Sequence, residues 1–387
     1  MPLRESLAAA LACAFLGAAG LGRAADPVPH DPATQAAMHD IFQALSELLP
    51  RVLSEGTLGP EERSAVAANL DTIAARAGSL ATHAGAQDPA FGFTGESLAE
   101  DARRAKRRFA GGRIIDARWE VLHLTDACVA CHSRQPSDKD AAFAKKLIGG
   151  VEVAELPPRQ RARLAVATRQ FDRASEIWEE LLLSPPPPEG EAARAPDLTE
   201  YLIVTVRVER DPARAAKLLE KLKKRPETAG DTRRLIGPWL ATLREKGKVL
   251  QETPSLASGR ALAGSGRDAR PYPFSRAGLI DDLLASAVLH RWLSQSASAP
   301  AHDRAEAYYL LGLTDAQVRT SPWLSDAAWY LETAIRTEPN SRLSEQAFDA
   351  YEDMTLLEWS GSGGTQIPED VQQYLDRLRA LAIRSSV

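Results

Sequence analysis

Four consecutive segments in the first third of the chain repeat apolar residues at helical spacing. Asp31-Pro32 opens the first, which runs to about Leu49, where Pro50 stops or kinks it. A second spans Pro60 to His83, opened by Pro60-Glu61-Glu62, a proline and two acids suited to a helix N-terminus. Thr94 or Ser97 caps a third, which ends near Gly111-Gly112, and a fourth runs from about Arg113 to His132. Four helices with short connections predict an up-down-up-down bundle over residues 31–135.

The phase of each helix sorts its residues. At 100° per residue, Ile41, Phe42, Leu45, Leu48 and Leu49 fall within about 80° of Met38. Met38 therefore lies on the apolar stripe, and His39 turns toward the polar edge. Val66, Leu70, Ile73, Ala77, Ala81 and Ala84 form the second stripe, with His83 off it. In the fourth helix Ile114, Val121, Leu124 and Cys128 share a face with His132, whereas His123 points away. An up-down bundle makes its first and fourth helices antiparallel neighbours, so Met38 is expected to face the end of the fourth.

From about Pro157 the chain is helix-rich again, broken by Pro185 to Pro188. Ser258 to Pro273 is rich in glycine and arginine and reads as a long surface loop. Between these breaks, amphipathic helices come in pairs. The clearest pair is Ala305 to Gly312 followed by Asp326 to Ile335, with Pro339 after it. Small residues where helices would cross, aromatics between them and a proline after the second helix resemble the tetratricopeptide helix-turn-helix. Weaker echoes run from Leu164 to Leu182 and from Tyr201 to Leu222; a generic helical domain is the plainer alternative. Stacked pairs would leave a groove for a partner protein. His290 reads as helix packing and His302 as a loop or cap residue. Lys145-Lys146 and Lys221 to Arg225 read as solvated helix faces.

The N-terminus adds an address. After Met1-Pro2-Leu3-Arg4 an apolar run extends from Leu7 to Leu21, and Gly22-Arg23-Ala24 offers a cleavage site. This is the pattern of a secretory signal, 1–24, and the run of about 15 residues is short of the ~20 a membrane span needs. Cys13 lies inside the run, preceded by Ala10-Leu11-Ala12 where a lipoprotein site has leucine at the first of these positions, and leaves with the signal.

Composition narrows the remaining classes. The chain has 387 residues, more than one compact domain usually needs, with 44% hydrophobic and 26% charged residues. A net charge of −5 and a pI near 5.9 argue against nucleic acid as a partner. There are three cysteines, and signal cleavage leaves Cys128 and Cys131.

Those two cysteines carry the main chemical signal. Residues 128–132 read Cys-Val-Ala-Cys-His, the attachment pattern of c-type haem. Two thiols at this spacing add across the two vinyl groups of one haem, and the adjacent imidazole of His132 lies under the iron as proximal ligand. A lone disulfide, a redox Cys-x-x-Cys and half a zinc site compete for the same residues. A thioredoxin-like site needs a βαβ context, and a structural zinc needs ligands that no further cysteine supplies. Export puts the motif in a compartment where haem c is attached. Met38 is the candidate distal ligand, since methionine partners histidine in electron-transfer cytochromes. His83 is the alternative, plain core packing of Met38 another, and an open five-coordinate iron the third.

A Cys-x-x-Cys-His helix about 90 residues after a methionine on the first helix resembles the cytochrome c-prime family, in particular its low-spin Met/His members. The resemblance covers residues 31–135. It implies a haem inside a four-helix bundle, with Cys128 and Cys131 as thioether positions, His132 proximal and Met38 distal. The chain departs from the family after the motif, continuing Ser133-Arg134-Gln135-Pro136 where an aromatic and an arginine are common.

The expected organisation is all-α: signal peptide 1–24, haem bundle 25–140, linker 141–156 and helical-repeat domain 157–387. The expected function is that of an exported, periplasmic electron carrier with one covalent haem c, not spanning a membrane after cleavage and docking a redox protein through its repeats. It is read as a carrier and not an enzyme; a haem peroxidase would need a distal acid–base arrangement that the sequence does not display. Gas binding at an open distal site and a periplasmic scaffold with an accessory haem are the alternatives.

Overall fold

The computed structural model describes residues 32–53, 58–83, 89–114, 117–118, 120–121, 124, 156–167, 169–187, 190–271, 275–296, 298–318, 326–362 and 364–383. Over these residues the protein is predominantly helical. Its strands are one two-residue hairpin, β1 (Ser360–Gly361) and β2 (Gly364–Thr365), among the described residues.

Helix α1 (Pro32–Leu53), α2 (Pro60–His83) and α3 (Pro89–Ala110) share one hydrophobic core with the helical residues 114, 117, 118, 120, 121 and 124, here called the fourth segment. Ion pairs and hydrogen bonds on the flanks give the directions. Asp40 meets Arg76, and Asn69 donates to Glu47 at 3.4 Å, so α1 and α2 run antiparallel. Lys106 of α3 meets Asp71 of α2, and α3 packs along the length of α2. A Schellman turn closes α3: Arg113 N donates to Arg108 O and Gly112 N to Phe109 O, with Gly112 at φ +74°. The chain then turns back, and Glu120 meets Arg104 and Arg108. Direction therefore alternates from α1 to the fourth segment.

Two helix boundaries differ from the sequence expectation. Helix α1 passes through Pro50 to Leu53. Leu48, Leu49 and Val52 are buried around the proline, and the apolar burial of that last turn outweighs one lost backbone bond. Helix α3 begins at Pro89, ahead of Thr94 and Ser97, because proline suits a first helical turn.

The second region has its own cores. Its helices are α4 (Pro158–Ala167), α5 (Phe171–Leu183), α6 (Ala195–Leu202) with a π-helical continuation (Ile203–Val208), α7 (Pro212–Lys224) and α8 (Gly230–Lys246). Then come α9 (Leu256–Asp268), α10 (Leu279–Gln295), α11 (Ala301–Val318), α12 (Asp326–Thr337), α13 (Arg342–Glu358) and α14 (Glu369–Ala382). Three of the turns hold a non-glycine residue in the left-handed region, at Arg169, Arg210 and Asn340. The break at Pro185 follows the end of α5, whose last carbonyls are capped from a distance. Arg194 donates to Leu182 O and Ser184 O, and Arg225 Nη2 to Ser184 O.

The glycine- and arginine-rich stretch read as a surface loop is helix α9. Ser255 caps it by accepting from Ser258 N at 3.1 Å. Its glycines serve contact, not flexibility. A Cβ at Gly266 would stand 2.6 Å from Asp282 Oδ1, and one at Gly259 would strike the Leu289 side chain. Helix α9 thus lies close against α10, with Leu262 and Ala263 buried between them.

Candidate haem site

The residues of the attachment motif, Cys128, Cys131 and His132, lie outside the described residues, as does the side chain of His83. Leu124, four positions before Cys128, is described and 1% exposed. Its segment runs opposite to α1: Val121 lines a small cavity with Val52, Leu70 and Phe109 near the end of α1, and Leu124 lies about one turn nearer its start.

Met38 stands in the second turn of α1 at that end. Its side chain is half-buried and packs against the core, as its phase required, while His39 is exposed. The core changes character along its length. At the far end Leu45, Leu48, Leu49, Val66, Leu70 and Phe109 fill the interior. Toward Met38, alanines stand at positions 37, 74, 77, 99 and 102, beside Ile41, Leu80 and Leu98. A thioether on the core face is a soft donor in apolar surroundings. That donor chemistry fits a haem iron, which accepts methionine sulfur opposite histidine. Among the described residues no group of three or more His, Cys, Asp and Glu is set to hold a metal ion.

One buried residue here escaped the sequence reading. Glu120 is 7% exposed on the fourth segment, 3.0 Å from Arg104 Nε and 2.9 Å from Arg108 Nη1. The available signal was its spacing, since it falls three residues after Ala117 on an otherwise apolar stripe. Arg104 also pairs with Asp101.

The second region holds most of the other buried charge, and each acid there faces a cation. Arg159 holds Asp197 through two bonds, and Arg163 holds Glu200 likewise. Lys246 meets Asp281 at 2.7 Å, Arg270 meets Asp282, and Arg207 meets Asp315. Burial pushes the Asp282 carboxyl up to about 7, against the pull of Arg270 and with help from Asp281 and Asp315. Burial likewise raises Glu209 to about 7, aided by Asp172 and opposed by Ser175 and Arg214.

The two histidines of this region have specific partners. His290 on α10 lies 3.1 Å from the Tyr330 hydroxyl in an edge-to-face ring contact. His302, in the first turn of α11, bonds Glu338 at 2.9 Å, and that bond raises its pKa. Lys221, Lys223 and Lys224 are exposed, as a solvated helix face requires, whereas Arg225, read with them, is half-buried and donates to Ser184 O at 2.9 Å. No described helix is long and apolar enough to cross a membrane.

Comparison with known protein families, with curated proteins and with solved structures finds no match to this chain.

Proposed function

We propose that this chain is an exported mono-haem c-type cytochrome that carries electrons, with its haem in an N-terminal helical bundle and a C-terminal array of helix pairs that docks a redox partner. The observation that carries the reading is a coincidence of motif and fold. Cys128-Val129-Ala130-Cys131-His132 comes four positions after Leu124, a buried residue of a segment antiparallel to α1, and α1 packs Met38 against the same core.

The chain's own residues have distinct parts in this reading. Cys128 and Cys131 offer thiols for thioether bonds, and His132 an imidazole on the adjacent position. Met38 offers a neutral sulfur from the opposite helix. The apolar stripe of α1, α2 and the fourth segment excludes water from the core against which Met38 packs. When bound, haem supplies a one-electron change at iron.

The C-terminal helices fit tetratricopeptide-like pairing. Gly312 of α11 approaches α12 so closely that a Cβ there would lie 2.6 Å from Leu331 Cγ. Tyr308, Trp329 and Tyr330 pack around that crossing, with ring centroids 4.8–6.4 Å apart. Small residues at the crossing and aromatics beside it are what the sequence resemblance describes.

The test is direct. Protein purified from an exporting host is expected to carry one haem by intact mass and by its alkaline pyridine spectrum, and Cys128→Ala/Cys131→Ala to carry none. A haem-free wild-type protein from a host that attaches haem c sinks the reading. Immediate carbon monoxide binding by the reduced wild type would replace electron transfer with gas binding.

A further inference from the structure

Charge is segregated along the second region. Residues 212–250 hold eleven lysines and arginines and four acids, whereas residues 326–383 hold four arginines and eleven acids. Two helices turn this imbalance into faces. On α7, Lys217, Lys221 and Lys224 stand at i, i+4 and i+7 and are exposed, away from the buried Leu218, Leu219 and Leu222. On α13, Glu345, Asp349 and Asp353 stand at i, i+4 and i+8 and are exposed, away from the buried Ala347 and Phe348. Each stripe is about 10–12 Å long.

Neither stripe is used inside the chain. Among the described residues no carboxylate pairs with these three lysines, and no cation pairs with these three acids. Their neighbours are paired: Glu220, the single acid of α7, meets Arg244 of α8, and Glu352 of α13 meets Arg379 of α14. Of the seven described lysines, Lys106 and Lys246 hold carboxylates, and the other five lie on α7 or in the turn after α8. A lysine ammonium is a flexible, hydrated point charge, suited to a contact that forms and breaks between molecules.

We infer that the lysine stripe of α7 docks on the acidic stripe of α13 in a second copy of this chain. The two faces match in sign, in number and in length, and the chain itself supplies both. Each stripe repels its own kind, so the contact joins different faces of two copies. All six side chains are exposed, so each pair attracts weakly, and salt screens the attraction beyond about 10 Å at 0.1 M. The inference does not depend on haem.

Sedimentation equilibrium of the full-length exported protein tests it, at about 20 mM and about 500 mM salt, on either side of effective screening. At low salt and high protein concentration the weight-average mass is expected to rise well above that of the monomer, and at high salt to return to it. Lys217→Glu/Lys221→Glu/Lys224→Glu and Glu345→Lys/Asp349→Lys/Asp353→Lys are each expected to stay monomeric at both. The chain carrying all six reversals keeps the wild-type net charge and is expected to associate again. Should a reversal unfold the protein, Lys217→Gln/Lys221→Gln/Lys224→Gln decides in its place and is expected to be monomeric. A wild type that is monomeric at low salt overturns the inference. So does an association that a folded lysine or acid variant retains, or that the six-fold reversal does not restore. Binding of a monomeric wild type to vesicles containing phosphatidylglycerol, lost in the lysine variant, would assign the stripe to a membrane surface and overturn it as well.

Discussion

Arg207 and Asp315 form an ion pair at 3.1 Å although 108 positions separate them in sequence, and their side chains are only 5% and 6% exposed. Arg207 projects from the π-helical turn after α6, and Asp315 from α11. Removing one partner leaves the other charge buried without it. Asp315→Ala is expected to cost about 3–5 kcal/mol, read from urea unfolding of the full chain. An Arg207→Met/Asp315→Leu double variant should cost much less, because it buries no unpaired charge. Equal losses in both would show that packing, not charge, governs the position.

The Gly312 crossing makes a second prediction. Alanine normally gains about 1 kcal/mol over glycine inside a helix. Here its Cβ would stand 2.6 Å from Leu331 Cγ and 3.3 Å from Ala327 O. Gly312→Ala is therefore expected to destabilise by about 1–3 kcal/mol. A stabilised variant would mean that α11 and α12 sit further apart.

Asp282 sets a pH dependence. Its folded pKa of about 7 lies above the ordinary 3.8, so between these values the folded chain binds more protons than the unfolded one. Stability contributed by this group accordingly falls as pH rises from about 4 to 7 and is level above that. Unfolding midpoints at pH 5 and pH 8 should drop more in the wild type than in Asp282→Asn. Parallel pH profiles for the two proteins would remove Asp282 as the source.

Met38 gives the prediction closest to function. Met38→Ala should keep covalent haem, lose the red ferric band and gain rapid carbon monoxide binding. His83→Ala should leave all three unchanged. The opposite pattern would move the distal ligand to His83.

Packing of the N-terminal core can be checked without haem. Leu48 is fully buried between α1 and its neighbours. Leu48→Ala is expected to cost about 2–5 kcal/mol by lost burial and cavity formation, whereas exposed Gln43→Ala should change little. Similar small losses in both would place the core elsewhere.

Much of the helical frame was legible in the chain itself. Helix α2 spans Pro60 to His83 as read, and Met38, Leu45 and Leu48 face the core as their 100° phase requires. Helical spacing is local and repeats every turn, so sequence carries it directly. The Cys-x-x-Cys-His motif is equally local, since it is written in five adjacent residues.

Other features depend on neighbours distant in sequence. Gly259 and Gly266 read as loop punctuation, yet they form the close face of α9 because Leu289 and Asp282 of α10 press against them. A glycine's meaning depends on what approaches it, and composition does not record that. Pro50 likewise stays inside α1 because surrounding apolar burial outweighs one missing bond. Glu120 falls on the apolar stripe of its segment, and its ion pairs form only because α3 brings Arg104 and Arg108 to it. The sequence by itself determined the helical character, the phase of α1 and the Cys-x-x-Cys-His motif. Tertiary structure decided which glycines touch and which buried charges meet, because those contacts join residues that the chain places tens of positions apart.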